Sequence, residues 1–194
     1  MNKIFIAATS KVAAADLPSA RLGPRFARLD LQSQMALLAV ESLGVDFQEF
    51  SPDRVAVCLA AKIGSLSTDV EFWNGRDGAG GPSPTLFAYT LPSAAIGEIA
   101  IRHKLTGPNL CFVDDDKILL SEAADLIQRG EADYCVCVSC AVVTAAAAEL
   151  IQIPPETGAC AVFLQRGEGL RELTEFDRDM KSLCANFCRP KISG

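Results

Sequence analysis

The chain has 194 residues, one His and eight Cys, with 18 Lys+Arg against 24 Asp+Glu for a net charge of −6. This length suits one globular domain or a domain with a short tail, and 49% hydrophobic against 22% charged residues excludes bulk disorder. Charge, Pro or Gly interrupts every apolar stretch before about 18 residues, so no membrane span is expected. A pI near 4.8 without a basic stripe argues against nucleic acid as a partner, and the cytoplasm is the expected compartment.

Residues 2–9 read as a first strand, followed by a polar connection holding Pro18 and Pro24. From Leu29 to Leu43, apolar Leu31, Met35, Leu38, Ala39 and Val40 share one helical face, with Gly44 as the stop. Arg54–Ala61 is a buried strand, and a short helix is expected over Asp69–Trp73. Gly75, Gly78, Gly80 and Gly81 mark a loop. Ser83-Pro84 opens a short helix, and Pro92 suits the first turn of another running to Lys104. After Gly107-Pro108 come a strand at Asn109–Val113, a helix over Lys117–Arg129, a strand at Asp133–Ser139, a helix at Ala141–Ile151 and a last strand at Gly158–Gln165. Strands alternating with helices predict an α/β fold with a largely parallel sheet. Residues 167–194 mix charges with weak periodicity and read as a tail or a peripheral helix.

Cys58, Cys111, Cys135, Cys137, Cys140 and Cys160 lie in strand-like stretches, where a thiol packs as a small hydrophobe. Cys184 and Cys188 sit in a polar stretch and are expected to be exposed. No zinc site is expected, because the Cys135-x-Cys137-x-x-Cys140 run has no second cluster to complete four ligands. No P-loop, Gly-x-Gly-x-x-Gly turn or Gly-x-Ser-x-Gly elbow occurs. His103, between Arg102 and Lys104, reads as solvent-facing at a helix C-terminus. Asp114, Asp115 and Asp116 read as acids at the positive end of a helix dipole. From the residues alone, no catalytic constellation emerges.

One segment carries more. Ser83-Pro84-Thr85-Leu86-Phe87, Leu91-Pro92 with the apolar helix after it, and Leu105-Thr106-Gly107-Pro108-Asn109 together resemble the β-ketoacyl synthases of the thiolase superfamily. Arg28-Leu29-Asp30, Asp53-Arg54-Val55-Ala56-Val57, Gly130-Glu131-Ala132-Asp133 and Thr157-Gly158-Ala159-Cys160-Ala161-Val162 extend the likeness over residues 2–166. The resemblance implies an N-terminal domain over 1–166 with half of a thiolase-like fold: a mixed, mostly parallel five-stranded sheet with helices on both faces. In the family, the strand after Gly-Pro-Asn leads to the acyl-accepting Cys at a helix start. A gap-free count places Asp116 there, and a carboxylate cannot hold a thioester.

The family's catalytic histidines and lysine lie in a second half, and this sequence stops where that half would begin, at less than half the usual length. The resemblance thus implies a nucleophile-lacking pseudoenzyme, akin to a chain length factor, in fatty acid or polyketide biosynthesis, with no catalytic residue, cofactor or metal. Its partner would be a full-length ketosynthase or a second copy, with an acyl carrier protein as a further candidate. The family pairs through the strand corresponding to Asn109, Leu110, Cys111, Phe112 and Val113. A residue of the Ser-Pro segment reaches the partner's acyl pocket; Leu86 takes that position, with Phe87, Tyr89 and Leu91 beside it. Bulk at such a wall limits chain length, since each methylene excluded forgoes about 0.8 kcal/mol of burial. Core packing is the competing role for those four residues. Two other functions stand open: an acyl-thioester-processing enzyme using Asp116 with His103, and an acyl or acyl-carrier binding module. Without a second half, the helix over Lys117–Arg129 needs a cover, from an oligomer or from Leu170, Leu173, Phe176, Leu183 and Phe187 folding back.

Overall fold

The computed structural model describes residues 3–20, 22–78, 80–113 and 116–174, together with Asp177, Met180, Leu183 and Cys184. The elements are β1 (Ile4–Ala13), α1 (Leu31–Glu41), β2 (Val55–Ala61), α2 (Leu66–Gly75), α3 (Pro84–Phe87), α4 (Ala94–His103), β3 (Asn109–Val113), α5 (Leu119–Gln128), β4 (Tyr134–Val143), α6 (Ala145–Ile151), β5 (Glu156–Arg166) and β6 (Arg171–Glu172). They form one six-stranded sheet in the order β3-β2-β4-β5-β1-β6.

The α/β architecture with helices on both faces is as the sequence implied, but the sheet departs from five mostly parallel strands in two respects. β2 runs parallel to β3 and to β4, whereas β4–β5, β5–β1 and β1–β6 are antiparallel. Parallel neighbours need a helical crossover, and only the stretch from β2 to β4 supplies them; β5 follows β4 through the short α6 and returns antiparallel. The sixth strand has two residues, too few for any periodic signal, and exists through its pairing with Phe5 and Ile6 of β1.

All seven residues of β2 are buried, as befits a strand covered on both sides. On one face, α1 and α4 pack over Val55, Val57, Leu59, Val136, Val138 and Phe163. α1 starts at Asp30, whose carboxylate accepts from Ser33 N at 3.0 Å and from Thr68 Oγ1 at 2.8 Å. On the other face, α5 covers Ala56, Cys58, Ala60, Cys135, Cys137, Val162 and Leu164, aided by Met180, Leu183 and Cys184 from beyond β6. Leu183 is thus buried and Leu173 packs at the margin of this face, while Leu170 is exposed. Phe176 and Phe187 lie outside the described residues. Among the described residues, no helix is long and apolar enough to cross a membrane.

Cys184 corrects the expectation of an exposed thiol. It is fully buried, with Sγ 3.6 Å from the Ala161 carbonyl, because its neighbours Met180 and Leu183 dock on the sheet. Cys188 lies outside the described residues.

Candidate functional site

β3 ends the sheet, so its edge away from β2 has no strand partner among the described residues. Gly107-Pro108 sets its start. A Cβ on Gly107 would overlap the Val55 carbonyl oxygen, so only glycine admits this approach, and Val57 N then donates to Pro108 O at 2.9 Å. Leu110 and Phe112 pack towards α5, Cys111 packs towards α4, and Asn109 and Val113 are exposed at the two ends. These five residues form a strand at the margin of the sheet.

Asp116 lies three residues ahead of α5. It does not cap the helix: the cap residue is Ile118, which provides no side-chain bond. Its Oδ2 instead accepts from Ser139 Oγ of β4 at 3.1 Å. A partner 23 residues away outcompetes the helix dipole because a charge-assisted hydrogen bond is stronger than a terminal dipole contact. Asp114 and Asp115 lie outside the described residues.

Ser83 caps α3 by accepting from Leu86 N at 3.2 Å, and Pro84 presets its first turn. The four residues expected at a partner's acyl pocket divide. Leu86 is half-buried, and Phe87 is 62% exposed with its ring 5.5 Å from that of Phe72. Tyr89 is half-buried and donates to Glu98 Oε1 at 3.2 Å, a carboxylate that Arg25 also holds. Leu91 is 63% exposed. Phe87 and Leu91 are thus presented outward, while Tyr89 is tied to the body of the fold. Val113 lies against the position of Gly64, as does Pro92, so the end of β3 and the connection after Leu91 meet.

His103 is not brought to Asp116. It ends α4, before β3 begins, whereas Asp116 follows the far end of that strand, which rises about 16 Å. Nor is it solvent-facing: its side chain is only 14% exposed and packs against Phe47 with ring centroids 4.6 Å apart and planes tilted by 54°. Burial holds its pKa below the usual histidine range.

The thiols among the described residues are packing groups. Cys58 and Cys135 have sulfurs 3.5 Å apart, and Cys135 and Cys137 3.9 Å. The bond from Cys135 and burial push Cys58 up, and burial does the same to Cys135 and Cys140, so none is a reactive thiolate near neutral pH. Among the described residues, no three His, Cys, Asp or Glu are grouped so as to hold a metal ion.

The family model of the β-ketoacyl synthase N-terminal domain matches residues 6–152, a span running from within β1 through α6 and including the Gly107 approach and the edge strand. The chain belongs to the β-ketoacyl synthase family. This β-ketoacyl synthase-like chain is similar to the ishigamide ketosynthase/chain length factor at 20% identity, with a TM-score of 0.71 over 87% of this chain and 64% of that one. It is similar to a ketosynthase in complex with its chain length factor from Xenorhabdus doucetiae at 19% identity and a TM-score of 0.66, covering 87% of this chain and 81% of that one. A third neighbour comes from a type II PKS acyl-carrier protein in complex with its ketosynthase, at 15% identity, a TM-score of 0.68 and 63% of that chain's length. At these identities the likeness is one of fold. The chain spans 64% and 63% of the first and third neighbours, less than two thirds of their length. No curated protein gives a significant match.

Proposed function

We propose that this β-ketoacyl synthase-like chain is a catalytically silent subunit, akin to a chain length factor, that pairs with a full-length ketosynthase in fatty acid or polyketide biosynthesis. The observation that supports this reading is the outer edge of β3, which has no strand partner among the described residues and is set at the sheet margin by the Gly107-Pro108 approach. Backbone donors and acceptors on such an edge are satisfied when another strand adds to it. The edge is short, and exposed Val113 at its end adds apolar area for the same contact, with Phe87 and Leu91 exposed elsewhere on the surface. Asp116 takes the place of the acyl-accepting Cys and is engaged by Ser139, which supports a role without covalent catalysis. Phe87, outward and backed by Phe72, is better disposed than the half-buried Leu86 to reach a partner's acyl pocket. An enzyme built on Asp116 and His103 is disfavoured by their separation along β3.

Co-purification with a tagged full-length ketosynthase encoded beside this chain tests the reading. A stable complex that survives gel filtration and weakens on Phe87→Asp is expected. A chain that stays monomeric in the presence of that ketosynthase would sink it. Pairing with a second copy is read separately: antiparallel pairing of two β3 strands about their centres brings Cys111 opposite Cys111, within disulfide range. A cross-linked dimer under mild oxidant, abolished in Cys111→Ser, would mark the homodimer.

A further inference from the structure

The segment 22–28, between β1 and α1, is fastened by arginines at its start and at its middle. Arg102 of α4 donates through Nη1 to the Leu22 carbonyl at 3.1 Å and through Nε to Glu41 Oε1. Arg25 donates through Nε and Nη2 to the Glu98 carboxylate at 2.9 and 3.0 Å. Beneath lies a cavity of about 160 Å³, walled by Phe26, Leu29, Leu37 and Ile101 between the two arginines. The segment is therefore a strap over space rather than a layer packed throughout.

His103 stands next to the first fastening. Its Nε2 is buried, lacks a hydrogen-bond partner among the described residues and lies 3.5 Å from the same Glu41 Oε1 that Arg102 holds. Each element packed on the imidazole contributes one group. α1 offers the Glu41 carboxylate, α4 itself the Arg102 guanidinium, and the turn Phe47–Glu49 the uncharged ring of Phe47. At neutral pH one cation faces one carboxylate, and the clasp is shut.

We infer that His103, Glu41 and Arg102 form an acid-sensitive clasp on segment 22–28. A proton on His103 gives Nε2 a donor aimed at Glu41 and sets a second positive charge beside the Arg102 guanidinium. The carboxylate turns to the imidazolium, Arg102 is repelled, and its bond to the Leu22 carbonyl is lost. Burial and the Arg102 charge both disfavour that proton, so the clasp opens only below the usual histidine range.

Hydrogen exchange on the full chain at about pH 7.5 and about pH 5, with rates corrected for intrinsic chemistry, tests this. The reporters are the amides of Arg28 and Leu29, bonded to the carbonyls of Arg25 and Phe26 at 3.0 and 3.2 Å. Their protection should fall about tenfold in acid, within the range of coupling between linked sites. In His103→Gln, which stays neutral, protection should be the same at both pH values. In Glu41→Gln, which cannot anchor Arg102, it should be low at both. Unchanged protection in the native chain, or the same acid-induced loss in His103→Gln, overturns the clasp. If His103→Gln does not fold, a native-sized pH response surviving in Glu41→Gln overturns it equally.

Discussion

Ser139 Oγ donates to Asp116 Oδ2 at 3.1 Å and so ties the middle of the sheet to the connection between β3 and α5. Ser139 is 6% exposed and registered between Ala60 of β2 and Cys160 of β5, so its hydroxyl has little access to water. A hydrogen bond to a charged acceptor contributes about 2 kcal/mol. Ser139→Ala should lower the urea unfolding free energy by about that amount, with the slope of the transition unchanged. Asp116→Cys places a thiol in the connection between β3 and α5, whereas the single His of the sequence, His103, precedes β3. Turnover of acyl and malonyl thioesters by this variant should stay at background. Condensation by Asp116→Cys alone would count against the proposed catalytically silent role.

Much of the scaffold is legible residue by residue, and the failures share a cause. β2 reads directly as an unbroken apolar run, and α1 as a stripe from Leu31 to Val40. β1 runs four residues past the expected stop because Thr9-Ser10-Lys11 resembles a turn. In the sheet, Ser10 and Val12 face inward while Lys11 and Ala13 face out, and Ser10 Oγ donates to Ala39 O at 2.6 Å. Likewise β4 continues to Val143, because Val142 and Val143 pair with Thr157 and Glu156, and α6 starts only after its cap Thr144. His103 reads as exposed beside Arg102 and Lys104, but the ring of Phe47, 56 residues earlier, covers it. The Gly107 approach and the edge position of β3 follow from motif and order, whereas the Ser139–Asp116 bond joins residues with no local signal. Contacts distant in sequence account for the misses.

The glycine at the start of β3 has a measurable consequence. A methyl at Gly107 would overlap the Val55 carbonyl oxygen and stand 2.8 Å from its carbon, both backbone atoms that cannot swing aside. Gly107→Ala should cost about 3 kcal/mol and displace β3 from β2. At Gly97, inside α4, an added methyl would meet no atom within 4 Å. There an alanine adds helix propensity without contact, and Gly97→Ala should raise stability by about 1 kcal/mol. Equal effects at the two sites in chemical denaturation would contradict the tight approach at Gly107.

Acid should expose the pair formed by Arg54 and Asp133. Arg54 donates through Nε and Nη2 to the two carboxylate oxygens at 3.0 and 2.9 Å, and also to Gly130 O at 3.0 Å. These bonds hold the Asp133 carboxyl below the usual aspartate range. A folded-state pKa below the unfolded one means the contribution is complete above about pH 4 and fades as the pH falls towards the folded value. Arg54→Met removes the cause of the shift. Its melting temperature should therefore decline less steeply than that of the native chain between about pH 4 and about pH 2. Parallel curves for the two proteins would rule out this pair as a source of acid sensitivity.

The segment beyond β6 should behave as core on one side and as surface on the other. Met180, Leu183 and Cys184 are spaced as one helical stripe and are buried on the face that α5 covers, at 0%, 4% and 0% exposure. Leu170, just before β6, is 63% exposed, because its amide is turned inward to bond Ile6 O at 2.7 Å. Leu183→Ala should cost about 3 kcal/mol through lost transfer energy and the cavity left behind. Leu183→Asp, which buries an unpaired carboxylate, should open the α5 face and raise binding of an apolar dye. Leu170→Asp should stay within about 0.5 kcal/mol of the native chain. If Leu183→Ala proves as neutral as Leu170→Asp, the segment does not cover α5, and that face must be closed by another chain.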